Sequence, residues 1–290
     1  MGSGWNGNGA LYLNDWMICA VEPMVGGSDE LFDFNHVIGL NMNEKEEYMM
    51  KRVLSLTIAG LFFVVLLTIP SSAQTADQIL KKMIEAQGGQ KLFDSIKDIT
   101  ITGSIELPMQ GLSGMLTVYK KEPDKRRLDF EAMGMVITQA YDGQIGWYTN
   151  PQTGSIEDMG EEMLAETKRQ AMPIVAVVYP QKYGMTYTFQ GKENIEGKDY
   201  FILEETYPDG FKATLYIDAG TYLIYKQKVK VMQMGAEIEV EEYSSDYKKV
   251  NGMMMAHSMV SYAGGTEIQS VTINEVKINT GLDDALFKKD

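Results

Sequence analysis

Apolar and polar residues alternate with a period of two over most of the chain after Asp98, and this pattern restricts the fold more than any other feature of the sequence. From Ile99 to Leu107, isoleucine and leucine alternate with threonine, serine and glutamate, as is typical of a strand with one buried face. Similar segments follow, separated by turn sequences such as Asp142-Gly143. Short connections of this kind join antiparallel neighbours. The pattern therefore predicts a long antiparallel sheet.

We expect about eleven strands, and a sheet of that length must curl, close or cover one face with other elements. With few helices available to cover it, a strongly curved sheet that wraps them is the simplest arrangement. After the first strand, the predicted segments are Leu112–Glu122, Lys125–Met133, Met135–Asp142, Gln144–Thr149, Met185–Ile195, Tyr200–Tyr207, Phe211–Asp218, Tyr222–Met234, Ala236–Tyr247, Met253–Ala263 and Glu267–Ile278.

Three helical segments accompany the strands. Thr75 and Gln78 have the spacing of an N-terminal capping box, and the apolar residues that follow them share one helical face. Gly88-Gly89 then supplies a helix stop. Two further helices are predicted over Gln90–Ile96 and Gly160–Met172. The fold class we expect is mainly β (α+β): a strongly curved antiparallel half-barrel that wraps a few helices.

Residues 50–73 have the three-part layout of a secretory signal peptide. A short basic start at Lys51 and Arg52 precedes an almost wholly apolar run to Ile69, and small residues follow. We expect cleavage after Ala73. The alternative is a transmembrane helix, because the apolar run of 17 residues reaches the lower limit for spanning a bilayer. Against this alternative, no basic stop-transfer cluster follows.

Residues 1–49 precede this segment, although a signal peptide belongs at the N-terminus of the translated chain. They contain eight acidic residues and one basic residue, the opposite of the charge that export favours. We expect translation to start at Met49 or Met50, which would exclude Cys19 and His36 from the protein. The alternative is a genuine N-terminal extension, disordered or close to a membrane.

Residues 74–290 would then form the mature protein as a single domain, a length that buries a sizeable core. This part carries 32 acidic and 23 basic residues, which argues against nucleic-acid binding because that requires clustered lysine and arginine. It contains no cysteine, so disulfides, thiol nucleophiles and cysteine-based metal sites are excluded. We expect a soluble monomer with no metal and no cofactor.

Few residues in this part could support catalysis. His257 is its only histidine, so a Ser-His-Asp triad would have to use it, and no G-x-S-x-G sequence occurs. Acidic clusters such as Glu239, Glu241 and Glu242 are typical of a solvated strand face. We expect no catalytic residue, and we expect His257 to be a partly buried or surface histidine without a special role.

Several segments, in this order after the signal sequence, carry a family resemblance: ADQILKKMIEAQGG, KDITITG, EPDKRRLDF, YDGQIGWYTNPQTG, ENIEGKDYFILEE, LYIDAGTYLIYK, NGMMMAHSMVSY and VTINEVKINTGLDDALFKK. Together they resemble the outer-membrane lipoprotein-sorting superfamily, the LolA/LolB-like proteins. No single segment is a catalytic signature. The resemblance implies an open half-barrel with helices across its mouth and a hydrophobic cavity between them. It also implies a carrier or binder of acyl chains or other apolar ligands in the bacterial periplasm.

The resemblance implies one residue role as well. The family has an arginine near the start of the third strand that holds a lid helix, and here Arg126 or Arg127 matches it. His257 departs from the pattern, since it stands where the family has proline.

Methionine is the residue type from which we predict the ligand site. Fifteen methionines remain after Ala73, and their unbranched, polarizable side chains can refit around ligands of variable shape. Met163 and Leu164 would form the inner face of a lid helix, and Trp147 would lie at the cavity mouth. The alternative is that the methionines fill gaps in the core and that Trp147 is a core anchor. The predicted lining residues are Met115, Met133, Met135, Trp147, Met163, Leu164, Met232 and Met234.

The sequence therefore predicts a periplasmic, non-enzymatic protein that binds and ferries a lipid or a lipidated protein. Membrane proteins of the envelope are further candidate partners. The alternative from another class is an envelope interaction or sensory module with the same fold and no exchangeable ligand. A hydrolase is the weaker alternative.

Overall fold

The strands pair into one open antiparallel sheet. In the computed structural model the described residues are 75–233 and 236–289. Residues 1–49, the predicted signal segment 50–73, Met234 and the side chain of Met232 lie outside the described residues. The strands are β1 (Asp98–Leu107), β2 (Leu112–Lys121), β3 (Lys125–Ala132), β4 (Met135–Tyr141), β5 (Gly146–Thr149), β6 (Ile156–Asp158), β7 (Thr186–Ile195), β8 (Lys198–Thr206), β9 (Lys212–Asp218), β10 (Ile224–Gln233), β11 (Ala236–Val250), β12 (Met253–Ala263) and β13 (Thr266–Ile278).

The order of strands across the sheet is β6-β5-β4-β3-β2-β1-β13-β12-β11-β10-β9-β8-β7. The first and last strands, β1 and β13, pair in the middle, and β6 and β7 form the two edges. The predicted curved antiparallel half-barrel is confirmed, with 13 strands where the pattern indicated slightly fewer. The short strand β6 is one that the alternation did not indicate.

Three α-helices accompany the sheet: α1 (Ala76–Ala86), α2 (Gln90–Ser95) and α3 (Glu161–Ala171), the last of which connects β6 to β7. The predicted capping box is present at α1, because Gln78 N donates to Thr75 Oγ1 over 3.3 Å and Thr75 N donates to Gln78 Oε1 over 3.1 Å. The segment Ile174–Val177, which follows α3, is a 3-10 turn.

Helices α1 and α2 pack on one face of the sheet, which we call the concave face. Ile79, Leu80, Met83 and Ile84 of α1 are buried against apolar side chains of β8 and β9, including Leu203. Burying four such side chains contributes roughly 6–12 kcal/mol before the entropy of ordering the chain is subtracted. From the strand register, the concave face continues through Ile105 on β1 to the apolar residues of β3.

The segment after β13 packs on the opposite face of the sheet, which we call the outer face. Phe287 in the 3-10 turn Asp284–Phe287 is fully buried, and its carbonyl oxygen accepts a 2.9 Å hydrogen bond from Trp147 Nε1. Asp284 lies 2.6 Å from Lys121 Nζ and 2.8 Å from Lys125 Nζ. Hydrogen bonds and charge from these two lysines lower the pKa of Asp284 to about 2. The C-terminal segment therefore closes the core on the side away from the helices.

Asp98 fixes the start of that segment. Its buried carboxylate accepts hydrogen bonds from Thr280 N (2.7 Å), Thr280 Oγ1 (3.0 Å) and Gly281 N (2.9 Å). Burial alone would raise the pKa of Asp98, but the donated hydrogen bonds outweigh it and the pKa is lowered. The charged form of Asp98 is therefore the one that the fold stabilises.

Candidate functional site

The concave face carries a group of aliphatic side chains that are only partly buried. They surround a buried cluster on β1, β3 and β13 that includes Ile105, Leu128 and Phe130. Helices α1 and α2 cover β7 to β9 instead, with Phe201, Leu203 and their neighbours. The partly buried side chains packed on the first cluster are Leu112, Leu116, Val118, Ala132, Ile137 and Met259.

Helix α3 packs against β3 and β4 on the same concave face. Leu164 lies over Gly146 of β5, since a β-carbon at Gly146 would come within 2.6 Å of Leu164 Cδ1. Leu164 and Met163 are both half-buried, as a helix face that rests on the sheet requires. Thr167 Oγ1 donates to the Met163 carbonyl oxygen over 2.8 Å and so satisfies its buried hydroxyl within the helix.

The C-terminal end of α3 is held at both sides of the sheet. Arg169 Nη1 lies 2.5 Å from Asp209 Oδ2, in the turn between β8 and β9, and the guanidinium lies 4.4 Å from the Phe211 ring centroid. On the other side, Lys168 Nζ lies 6.0 Å from the ring centroid of Tyr141 on β4. These contacts join the two halves of the sheet across α3.

The chain after α3 is also anchored to the sheet. Lys120 Nζ donates to the Met172 carbonyl oxygen over 3.1 Å, and Ile174 N donates to Glu122 Oε1 over 2.7 Å. Burial raises the pKa of Glu122, against the opposing effect of the hydrogen bond from Ile174. These hydrogen bonds anchor the C-terminal end of the helix, in addition to the contact of Leu164 with β5.

The two candidate arginines lie on opposite faces of β3. Arg126 is buried, and its partners in register are Lys120 and Tyr141, on the face where α3 packs. Arg127 lies on the outer face, where Nε donates to Asp129 Oδ1 over 2.9 Å and Nη1 to the Leu286 carbonyl oxygen over 2.9 Å. Only Arg126 is placed to act on the helix, and Arg127 holds the C-terminal segment.

The structure disperses the predicted lining residues. Met115 is 41% exposed and points to the outer face, since its neighbour Leu116 points to the concave face. Trp147 also lies on the outer face, under Phe287, so it is a core anchor and we do not include it in the site. Met133 lies in the turn after β3 and is 80% exposed, whereas Met135, the first residue of β4, is 54% exposed and has the concave-face parity of Ile137.

Sequence reasoning missed a set of polar side chains that cross the concave face in register. Gln227, Glu242, Ser261 and Gln269 are direct neighbours on β10, β11, β12 and β13. We call these four residues the polar row. Ser261 Oγ donates to Glu242 Oε2 over 3.4 Å. The sequence does contain a signal for them: these polar residues occupy the alternate strand positions that elsewhere carry the apolar core.

A second buried polar group lies on β7 and β8. The Glu205 carboxylate accepts hydrogen bonds from the hydroxyls of Tyr187 and Tyr207. Burial raises the pKa of Glu205, although both hydrogen bonds oppose the shift. His257 is also buried, and its Nδ1 lies 3.1 Å from the Met255 carbonyl oxygen.

Within residues 75–233 and 236–289, no group of three or more His, Cys, Asp or Glu side chains is arranged to hold a metal ion. In the same residues, no helix has the length and apolar character to cross a membrane.

Solved structures of other proteins share this architecture. No family model and no curated protein matches the sequence. A LolA superfamily protein from Nitrosomonas europaea matches in structure with a TM-score of 0.53 and 16% identity, over 75% of this chain and 99% of that one. The chain has the LolA-like fold. The resemblance read from the sequence is thus confirmed at the level of the fold.

Other solved structures are similar too. A DUF1329 family protein from Desulfovibrio piger matches the LolA-like sheet with a TM-score of 0.53 and 16% identity, over 73% of this chain and 97% of the other. An outer membrane lipoprotein-sorting protein domain from Vibrio parahaemolyticus has a TM-score of 0.48 and 17% identity, over 73% and 97%.

Proposed function

We propose that this protein is a non-enzymatic carrier that binds the acyl chain of a lipid or lipidated protein on the concave face of its LolA-like sheet. The observation that supports this is the set of partly buried aliphatic side chains beside α3, such as Leu116, Val118 and Ile137. When an apolar ligand covers apolar side chains on a concave surface, their removal from water stabilises the complex. We propose no catalytic step.

The energetics suit a reversible carrier. Burying a sixteen-carbon chain represents on the order of 12 kcal/mol, at about 0.8 kcal/mol for each CH₂ group. A chain that moves between a membrane and the protein exchanges one apolar environment for another, so the net difference is small. A carrier of this kind therefore depends more on a site that opens and closes than on very high affinity.

Helix α3 is our candidate for the movable cover, with Met163 and Leu164 on its inner side. Its link to the far half of the sheet is the pair Arg169–Asp209, in which the Arg169 side chain is 9% exposed and that of Asp209 is 40% exposed. Because the Arg169 guanidinium is desolvated in the closed position, its return to water on opening would offset part of the lost ion-pair energy. Arg126 lies on the face where α3 packs, and we propose that it helps to hold the closed position.

We place this activity in the periplasm. The support is the signal-peptide layout of residues 50–73, with cleavage after Ala73. An exported carrier with an exposed acyl-binding face would serve envelope lipids or lipidated proteins, with envelope membrane proteins as donors and acceptors.

The test is the affinity of residues 74–290 for a fluorescent acyl probe, measured for two neighbouring substitutions on β2. Leu116→Gln places an amide on the concave face, where a bound chain would bury it without a partner, at a cost of about 1–3 kcal/mol. We therefore expect binding weaker by roughly tenfold. Thr117→Gln introduces the same side chain at the next position of β2, which points to the outer face, and should leave the probe affinity unchanged.

The comparison of the two variants decides the proposal. Circular dichroism first confirms that both are folded. Equal probe affinities for Leu116→Gln, Thr117→Gln and the unmodified protein would contradict binding on this face.

A second function is favoured by one specific observation. Met109 and Met133 lie in the turns that follow β1 and β3, Met135 is the first residue of β4, and each is more than half exposed. Clustered exposed apolar side chains often mark contact sites for other proteins. An envelope interaction module would bind no acyl probe, yet would lose a partner when these methionines are replaced by glutamine.

A further inference from the structure

The polar row is an unusual feature for a face that we propose to bind acyl chains. It lies between apolar groups: Leu215 is the register neighbour of Gln227 on one side. Met259 and Val271 lie two residues before Ser261 and two after Gln269, on the same face. Four polar side chains in register thus separate the apolar group of β9 from the apolar groups of β1 and β13.

Burial makes this row informative. Ser261 is 1% exposed and Gln269 is 7% exposed. The Gln269 side-chain oxygen Oε1 is buried, and no described group donates a hydrogen bond to it. A buried carbonyl without a donor is unfavourable and is rare in folded proteins, so this atom calls for a partner.

The chemistry of the row specifies that partner. The Gln269 oxygen is an acceptor, and the Glu242 carboxylate accepts a hydrogen bond from Ser261 Oγ and is of a type that can accept several. A ligand that supplies hydroxyl donors would match both groups. A ligand that ends in a carboxylate brings only acceptors and a negative charge close to Glu242, so the row would oppose it.

We infer that the polar row is a head-group subsite, which holds the uncharged hydroxyl-bearing polar end of an amphiphile while its acyl chain lies on the aliphatic side chains of β1 to β4. This assignment rests on the proposed acyl-binding function and adds the class of ligand. Monoacylglycerols and similar neutral lipids belong to this class, and free fatty acids do not.

The experiment compares two ligands with the same chain length. A fluorescent acyl probe bound to residues 74–290 is displaced by monolaurin, which carries two free hydroxyls, or by laurate, which carries a carboxylate. We expect monolaurin to displace the probe at a concentration at least tenfold lower than laurate. In Gln269→Leu, a substitution of similar size, the preference should fall to threefold or less while the probe still binds.

A matched control and a second variant secure the result. Gln139→Leu makes the same replacement on the concave face of β4, outside the row, and should keep the full preference. Glu242→Gln removes the negative charge that opposes laurate and should reduce the preference, which keeps the proposal testable where Gln269→Leu does not fold.

The outcomes separate the two proposals. If the probe binds but monolaurin and laurate displace it equally, or if both row variants keep the preference, the subsite is refuted and the carrier function stands. If neither the probe nor monolaurin binds, both proposals are refuted.

Discussion

The contact between α3 and β5 gives the sharpest test of how the cover is held. A β-carbon at Gly146 would lie 2.6 Å from Leu164 Cδ1 and 2.8 Å from Met159 Sδ. Carbon atoms normally stay about 3.5–4.0 Å apart, so Leu164 would have to move by roughly 1 Å for the first added carbon alone. Gly146→Val adds three carbons and should therefore push α3 away from the sheet.

The magnitude follows from the volumes involved. Gly146→Val overfills the contact and should lower the free energy of unfolding by about 1–3 kcal/mol. Leu164→Ala removes three carbons from a half-buried position and should cost about 1–2 kcal/mol. The double variant nearly conserves volume, so its loss should be smaller than the sum of the single losses by about 1–2 kcal/mol.

Urea unfolding of residues 74–290, followed by the fluorescence of Trp147, measures each free energy. Hydrogen exchange of the α3 backbone amides should be faster in Gly146→Val and should slow again in the double variant. Additive losses, within about 0.5 kcal/mol, together with unchanged exchange in α3, would refute direct packing of Leu164 on β5.

Three further predictions concern the buried polar contacts. Burial raises the pKa of Glu205 in the folded protein. As pH rises above about 4.5 the carboxyl ionises readily in the unfolded state but not in the folded state, so the wild type loses stability. Glu205→Gln should therefore gain in unfolding free energy relative to wild type between pH 4 and 8, and a constant difference in urea titrations would contradict this. Asp98 has a lowered pKa, so its contribution is present above pH 3.8 and is lost as pH falls through its folded-state pKa. Asp98→Asn should cost about 1.5–3 kcal/mol at pH 7 and less in acid, as measured by urea unfolding at both pH values. Trp147→Phe leaves the buried Phe287 carbonyl without its donor and should cost about 1–3 kcal/mol, with faster proteolysis of the C-terminal segment; unchanged cleavage would count against that anchor.

The strands were predictable because their pattern is local. Alternation of period two and tight turns at Asp142-Gly143 and Asn251-Gly252 mark most of the sheet without any knowledge of pairing. The capping box at Thr75 is likewise complete within four residues. β6 was missed because Ile156–Asp158 is too short for alternation to show.

The site was less predictable because it depends on the parity of strand positions and on long-range pairing. On β2, Leu112, Leu116 and Val118 fix the inward parity, and Met115 is then outward. Predicting the lining from residue type alone overlooked this rule, since a shift by one residue moves a side chain to the other face.

Arginines 126 and 127 show the same limit. They are adjacent in sequence and equivalent by composition, yet one faces α3 and the other donates to Leu286 in the C-terminal segment. The sequence near β3 does not predict that residues some 160 positions later cover its outer face. Likewise, the polar row becomes visible only when four strands are aligned in register.

The central claim is that the concave face binds an acyl chain, and mass spectrometry of the purified protein tests it most directly. Residues 74–290 would be isolated from a bacterial envelope fraction without detergent, and an organic extract would be analysed for lipids. We predict a lipid close to one molecule per protein, with a neutral, hydroxyl-bearing polar end. An extract without lipid, from protein that also fails to bind a fluorescent acyl probe, would contradict the carrier function.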